Sequence, residues 1–467
     1  MKDARRVNED GPSGRTADGR ATSGSTIAAV SSGSGTAAVA VIRVSGPQAG
    51  AAVTALAGRL PEPRRATLAT LRHPASGAEI DRALVLWLPG PRSATGEDMA
   101  EFQVHGGRAV VAAALDALIA VPGIVPAERG EFTRRAFLNG RMDLAEAEGL
   151  ADLLSAETEA QRRLAFAHAF GHLGEQVARW RERLIRAMAL IEAGIDFADE
   201  DDVPAEARAL ARPEAEQLRA ELEAALKDRR GALLRDGATI AIAGRVNAGK
   251  SSLINALAAR DIAIVSDEPG TTRDVLEVAL DLGGHKATLI DTAGLRTAEG
   301  AVEAEGIRRA RARIEGADLV LWVHDVAAEP PPQTRPDIDS QAELWLLANK
   351  VDAGAAAFVR PDWATRDFAI SAREGEGLDT LTSALAEAVA ARAGGGEHPA
   401  LIRERHRANA QDAAGHLSVA LAGWDKLSDE LLAEELRLAG RALGRITGAI
   451  DIEDLLDVVF REFCVGK

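Results

Sequence analysis

One stretch, Gly244-Arg245-Val246-Asn247-Ala248-Gly249-Lys250-Ser251, constrains the fold of this 467-residue chain more than any other. It fits G-x-x-x-x-G-K-[ST], a loop that cradles phosphates between a strand and a helix. Its flanks agree: Ala238 to Ala243 reads as a buried strand and Ser252 to Ala259 as the start of a helix. The glycines let the backbone turn tightly enough to aim N–H groups at an anion. The helix behind adds its positive end. Lys250 is placed to reach the β and γ phosphates, and Ser251 to offer its hydroxyl to Mg²⁺. A ligand-free glycine turn could carry the same letters, so the motifs downstream decide.

Ala238 to about Ala391 alternates strands with helices, the pattern of a doubly wound α/β domain. Val275 to Leu282 and Lys286 to Ile290 read as a hairpin pair. Asp318 to Asp325, Leu344 to Ala348 and Phe368 to Ile370 read as further buried strands, with helices at Ile307 to Glu315 and Leu378 to Val389. Asp291-Thr292-Ala293-Gly294 follows one strand, where a carboxylate can hold the Mg²⁺ shell and Gly294 can turn its N–H to the γ-phosphate. Asn349-Lys350-Val351-Asp352 follows another. Asp352 can accept from the two N–H donors of guanine's edge, a pattern adenine lacks; Lys350 can lie across the base; Asn349 can tie the loop together. Ser371-Ala372 ends the next strand, where a backbone N–H can meet the guanine oxygen. Three motifs in this order on one sheet edge indicate a guanine nucleotide.

The length suggests about three domains. No apolar run is long enough to span a bilayer. Residues 1–25 read as a disordered tail and not as a secretory signal. A single cysteine, Cys464, excludes an intramolecular disulfide framework and a cysteine-cluster metal site, and favours the cytoplasm. A net charge of −16 argues against a globally basic nucleic-acid binder, and 3% aromatics with no tyrosine argue against a base-stacking platform. Any RNA contact is expected to be local or supplied by a partner. Residues 26–141 read as a small α+β domain, with strands at Thr36 to Arg43, Arg82 to Leu88 and Met99 to Val104 and a helix through Val121. Arg43 and Glu101 stand out on these apolar strands, either as an ion pair at a sheet edge or as ligand contacts. Residues 142–236 read as helical, with an acidic break at Asp196 to Asp202 closed by Pro204 and a long helix from Glu206 to Arg230. Residues 395–467 return to helix, including Leu427 to Leu438 and Asp451 to Phe463. The expected fold is therefore an α+β multidomain chain: a small N-terminal α+β domain, then a helical domain into which the α/β P-loop domain, residues 237–394, is inserted.

Several stretches resemble the MnmE (TrmE) family of tRNA modification GTPases. They are Gly270-Thr271-Thr272-Arg273-Asp274, Asp291 to Arg296, Thr95 to Asp98 with His105-Gly106-Gly107, Gly130 to Gly140 running into Met142 to Glu148, and Phe463-Cys464-Val465-Gly466-Lys467. The resemblance runs from Thr26 to Lys467. It implies a potassium-dependent GTPase that homodimerises, with a cation in the place of an arginine finger. By this resemblance GTP is held by Asn247, Ala248, Gly249, Lys250, Ser251, Ser252, the loop Ser266-Asp267-Glu268-Pro269-Gly270-Thr271-Thr272, Asp291, Thr292, Ala293, Gly294, Asn349, Lys350, Asp352, Ser371 and Ala372. Mg²⁺ falls to Ser251 and Thr272. K⁺ falls to Asn247, Ser266, Glu268 and Thr271. The family usually has proline at the position of Val246 and an apolar residue at that of Glu268. No glutamine follows Gly294, and the resemblance gives the water-orienting role to Glu303, the catalytic candidate; Glu299 and Glu305 lie close in sequence.

The resemblance also implies 5-formyl-tetrahydrofolate, or a related tetrahydrofolate, bound through Arg43, Glu101, Arg141 and Lys467. Arg141 stands where some members have lysine, which retains charge but changes contact geometry. It further implies an FAD-dependent MnmG-type partner in a heterotetramer-like complex, and tRNA as substrate. Together the two proteins install a carboxymethylaminomethyl-type group at C5 of the wobble uridine. Cys464 is either a participant in that modification or a small buried hydrophobe. Two other readings stay open: a regulatory or ribosome-assembly GTPase switch without folate chemistry, and a one-carbon-transfer protein whose nucleotide domain is structural.

Overall fold

The computed structural model describes residues 24–33, 35–196, 203–264, 277–291, 316–336, 342–354, 359–396, 398–450, 456, 459–460 and 463–466. The chain forms two compact units, one made of Met1–Ala151 with Thr447–Lys467 and the other of Asp152–Ile446. Among the described residues no helix is long and apolar enough to cross a membrane.

The first unit is built on a six-stranded sheet. Its elements are β1 (Thr26–Val30), β2 (Ala37–Ser45), α1 (Ala49–Ala57), β3 (Thr67–Arg72), β4 (Glu79–Leu88), β5 (Met99–Gly106), α2 (Arg108–Ile119), β6 (Ile124–Pro126) and α3 (Glu131–Leu138). The strand order is β3-β4-β5-β2-β1-β6. Neighbours run antiparallel except β1 and β6, which are parallel. Alternation sorts the faces. Ala40, Ile42 and Val44 of β2 join Phe102 and Val104 of β5 in a core with Ala52, Val53 and Leu56 of α1 and Leu118 of α2. Arg43 and Glu101 fall on the intervening positions and pair across β2 and β5. Those are central strands, so the expectation of an ion pair at a sheet edge is corrected: the pair sits mid-sheet, on the face opposite that helix-covered core. A second apolar cluster joins Leu144 and Ala147 to Leu456, Val459, Phe460 and Phe463.

The second unit begins in helix. Helix α4 (Leu144–Ser155) runs from the first unit into the second at Asp152, and α5 (Glu159–Ala169), α6 (His172–Asp196), α7 (Val203–Lys227) and α8 (Arg230–Asp236) follow. The long helix expected to reach Arg230 ends three residues earlier, and a separate short helix follows. Thr158 and Gln161 form a capping box at the start of α5, which satisfies two N–H groups that the first helical turn leaves unpaired. Then come β7 (Ala238–Gly244), α9 (Lys250–Ala258), β8 (Glu277–Leu282), β9 (His285–Asp291), β10 (Leu319–Asp325), β11 (Glu343–Asn349), β12 (Arg366–Ile370) and α10 (Leu378–Ala393). Helices α11 (Glu404–Ala422) and α12 (Asp429–Thr447) complete the unit. The sheet order is β12-β11-β10-β7-β9-β8. All pairs are parallel except β8 with β9, the antiparallel pair expected from the sequence. Leu253, Ile254 and Leu257 of α9 and Leu381 and Leu385 of α10 cover one face, against Ile240, Ile242, Leu289 and Leu321. Ala241, Ala243, Val320 and Leu344 form an apolar cluster on the other. The helix expected at Ile307 to Glu315 lies outside the described residues.

One carboxylate fastens the chain on both sides of the α/β segment. Asp152 Oδ1 accepts from Arg235 Nε at 3.1 Å, just before β7, and from Arg403 Nη2 at 2.7 Å, just after α10. Two histidines grip the returning segment at His398 and Pro399. His168 Nε2 lies 3.0 Å from the Pro399 carbonyl oxygen, and His172 Nε2 lies 3.0 Å from that of His398. Burial holds His168 well below the usual histidine range, at about 4, helped by the neighbouring His406, His172 and His398. A histidine kept neutral in the fold binds its proton more readily once unfolded. Its contribution is therefore complete above pH 6.5 and is lost as the pH falls toward 4. We expect chemical denaturation of the chain to show a loss on the order of 3 kcal/mol over that window. His168→Gln, which keeps an N–H for the Pro399 carbonyl, should flatten the profile; an unchanged profile would exclude His168 as the titrating group.

Candidate nucleotide site

The parallel strands bring the motifs to one edge. Gly244 ends β7 opposite Val323, Asp291 ends β9 opposite Ile242, Asp325 and Asn349 face each other at the ends of β10 and β11, and Asn349 faces Ile370 of β12. The strand order reverses at β7, the switch point where open α/β sheets bind ligands outside their carboxyl ends.

The phosphate loop closes on itself. Gly244 has φ 144° and Gly249 φ 97°, both regions that disfavour side chains. A Cβ on Gly244 would stand 2.2 Å from the Val323 carbonyl oxygen, and one on Gly249 2.2 Å from Asn349 Nδ2. Asn247 takes a left-handed φ of 61°, which asparagine tolerates better than most residues. Lys250 is buried, and its Nζ donates to the carbonyls of Gly244 at 3.0 Å and Arg245 at 2.7 Å. The ammonium is thus held over the loop. Ser251 Oγ donates to Asp291 Oδ2 at 3.3 Å. A hydroxyl beside a carboxylate is a hard oxygen pair, the donor set that suits Mg²⁺.

Asn349 links three loops. Its Nδ2 donates to the Ala248 carbonyl at 2.8 Å, and its Oδ1 accepts from the Ala372 N–H at 3.0 Å. Both bonds are buried, as is Ser371. Lys350 follows in a left-handed conformation, φ 69°, and its Nζ bonds Asp325 Oδ2 at 2.6 Å. That hydrogen bond, aided by the N–H groups of Ala327 and Ala328, holds the Asp325 carboxyl below the usual range. Asp352 sits exposed in the 3₁₀ turn Val351–Ala353.

Beside the phosphate loop lies a cleft of about 500 Å³, lined by Arg245, Val246, Asn247, Ala248, His324, Asp325, Ala328 and Glu329. Arg245 pairs with Glu329 across it. His324 is buried with Nε2 2.9 Å from the Glu329 carbonyl oxygen. The sequence reading did not single out Asp325, His324 or Glu329. His324 and Asp325 signalled only as a polar pair at the end of an apolar strand, and Glu329 lies four residues beyond it. Ser266, Asp267, Glu268, Pro269, Gly270, Thr271, Thr272, Thr292, Ala293, Gly294, Glu303 and Lys467 lie outside the described residues.

In the first unit Arg43 Nε and Nη2 both donate to Glu101 Oε1, at 3.1 and 3.0 Å, and the guanidinium lies over the Phe132 ring at 5.8 Å. The two side chains keep 26% and 19% of their surface, open enough to meet a ligand. Arg141 is exposed just beyond α3. Cys464 is exposed as well, which corrects the alternative of a buried hydrophobe.

Two family models match the chain: "GTP-binding protein TrmE N-terminus" over residues 26–141 and "MnmE helical domain" over residues 144–464. Curated relatives named "tRNA modification GTPase MnmE" are similar over nearly the whole length. That of Bradyrhizobium sp. (strain ORS 278) is 52% identical over 95% of this chain and 99% of its own. That of Azorhizobium caulinodans is 52% identical over 95% and 99%, and that of Parvibaculum lavamentivorans 53% over 95% and 100%. With half the residues shared along almost all of both chains, and with two family models covering its length, this chain belongs to the MnmE (TrmE) family of tRNA modification GTPases.

Proposed function

We infer that the chain hydrolyses GTP to GDP and phosphate and that this activity serves tRNA modification. The observation that carries the nucleotide half is Asn349, whose two buried bonds clamp the phosphate loop, the base-reading loop and the Ser371-Ala372 turn into one site. The relatives' names support the tRNA half.

The chain's own residues do the following. Backbone N–H groups from Asn247 to Ser252 and the Lys250 ammonium take the phosphates. Displacing Lys250 from the Gly244 and Arg245 carbonyls exchanges two neutral acceptors for anionic oxygens, which strengthens its bonds. Ser251 with Asp291, and Thr272, hold Mg²⁺, which when bound neutralises charge on the phosphates. Asp352 reads guanine, Lys350 lies against the base once nucleotide enters, and the Ala372 region meets the base oxygen. Glu303 orients the attacking water. Asn247, with Ser266, Glu268 and Thr271, holds K⁺. Domains are assigned as 26–141 for folate binding and dimerisation, 142–236 and 395–467 for the helical part and 237–394 for the GTPase. Arg43, Glu101, Arg141 and Lys467 hold a tetrahydrofolate, the one-carbon donor, with Cys464 presented nearby in sequence to Lys467. The assembly is a homodimer working with an FAD-dependent partner on C5 of the wobble uridine, in the cytoplasm.

The test is nucleoside analysis of tRNA from cells lacking the protein. We expect the C5-substituted wobble uridine to disappear; an unchanged nucleoside profile overturns the tRNA assignment. The cation gives a second test. GTP hydrolysis in K⁺ should exceed that in Na⁺ by on the order of 10²-fold, the scale of one transition-state charge contact. Asn247→Ala should erase the difference while retaining nucleotide affinity. Equal rates of the parent in both salts would remove K⁺ from the mechanism.

A further inference from the structure

The segment Phe463–Gly466 is seated on the first unit by contacts that leave little freedom. Gly466 has φ 93°, a conformation suited to glycine. A Cβ there would stand 2.0 Å from the Val30 carbonyl oxygen and 3.1 Å from Ser31 Cα, so Gly466 runs directly over the end of β1. Ser31 closes the contact from the other side. Its N–H is committed to the Val41 carbonyl at 2.8 Å, which fixes its backbone, and its Oγ donates to the Gly466 carbonyl at 2.7 Å. Val465 bridges Arg129 in antiparallel fashion. Phe463 is buried with Phe460 in the cluster on Leu144 and Ala147. A second glycine accommodates the same path: a Cβ on Gly130 would meet the Phe460 carbonyl oxygen at 2.3 Å. Between these buried anchors at 463 and 466, Cys464 is exposed.

A chain held this closely by backbone contact is held for position, since an unanchored segment would leave its neighbours a wide range of conformations. We propose that Gly466 and Ser31 form a latch that fixes this segment on the N-terminal unit, and that tetrahydrofolate binding depends on the latch. The dependence rests on the folate reading above, because Lys467 is the residue next to Gly466. Gly466 and Ser31 are positioning residues: they act by setting where their neighbours stand.

Cys464 is the sole cysteine of the chain, so a maleimide dye reports the segment directly. In Gly466→Ala the dye's anisotropy should fall toward that of a freely rotating label. In unlabelled protein the same substitution should weaken binding of 5-formyl-tetrahydrofolate about tenfold or more, the effect of losing one well-placed charged contact. Potassium-stimulated GTP hydrolysis should stay within about twofold of the parent. Ser31→Ala, a milder lesion, should move both readouts in the same direction by roughly fivefold in affinity, and Ser31→Thr, which keeps the hydroxyl, should restore them. Unchanged anisotropy in both Gly466→Ala and Ser31→Ala overturns the latch. A loosened segment with unchanged folate affinity overturns the dependence. If the parent protein binds no tetrahydrofolate, the folate reading fails and with it the dependence, while the anisotropy still decides the latch.

Discussion

Asn349→Ala should lower affinity for GTP and GDP by on the order of 10²-fold or more, as read by titration with a fluorescent guanine nucleotide. The side chain touches backbone only: it donates to Ala248 in the phosphate loop and accepts from Ala372 in the turn after β12. Truncation leaves one buried carbonyl and one buried N–H unsatisfied, each costing roughly 1–3 kcal/mol. It also frees the space against Gly249, where Asn349 Nδ2 now packs. The phosphate loop and the base-reading loop then move independently, and nucleotide must order both when it binds. Asn349→Asp is the sharper variant. It keeps the acceptor for Ala372 but sets a carboxylate against the Ala248 carbonyl, so it should bind at least as poorly as alanine despite its matched shape. Melting curves of both variants separate lost binding from lost fold. Affinity within about threefold of the parent for either variant would show that the three loops are held by something else.

Much of the α/β domain was legible because its backbone geometry demands particular residues. Gly244 and Gly249 stand where a side chain would strike a carbonyl oxygen or an amide, so those letters are nearly obligatory. Buried parallel strands such as Leu344 to Ala348 read as continuous apolar runs because both faces are covered. The first unit was harder. β1 is Thr-Ile-Ala-Ala-Val, whose two alanines give little strand signal, and β6 has three residues. Both exist because they pair with each other and with β2, a tertiary fact. Helix α1, nine residues of which five are alanine, was not singled out in the sequence.

The site shows the same division. Motif residues on strand ends were readable, whereas the groups that hold them were not. Asp325 lay in plain view at the end of a strand, but its role as partner of Lys350 depends on the register that sets β10 beside β11. The spacing of Arg43 and Glu101, 58 residues apart, carries no hint that they face each other across central strands. Asp152 was an ordinary helical carboxylate until the fold placed Arg235 and Arg403 on either side of it.

Asp352→Asn should exchange the base preference of the site, the largest specificity change expected here. Asp352 is exposed in its 3₁₀ turn, so the substitution should leave the melting temperature almost unchanged, as surface substitutions do. Its effect is therefore on recognition. A carboxylate offers two acceptors to the ring N–H and exocyclic amine of guanine. The amide offers one acceptor and one donor, and its donor meets the guanine amine head-on. Two hydrogen bonds to a charged group are worth roughly 3–6 kcal/mol, so GTP should lose about 10²- to 10⁴-fold in affinity. Xanthine carries an oxygen in place of that amine and matches the amide, so xanthosine triphosphate should gain what GTP loses. ATP lacks that pair of N–H donors and should compete with neither protein, because a site built to hydrogen-bond a ligand's edge rejects a ligand that leaves the site's polar groups unpaired. Competition of the three triphosphates against a fluorescent guanine nucleotide, run on parent and variant, measures all of this at once. Comparable ATP and GTP affinity in the parent would contradict guanine reading by Asp352. Unchanged GTP affinity in the variant would contradict it equally, and would move base recognition to the backbone around Ala372.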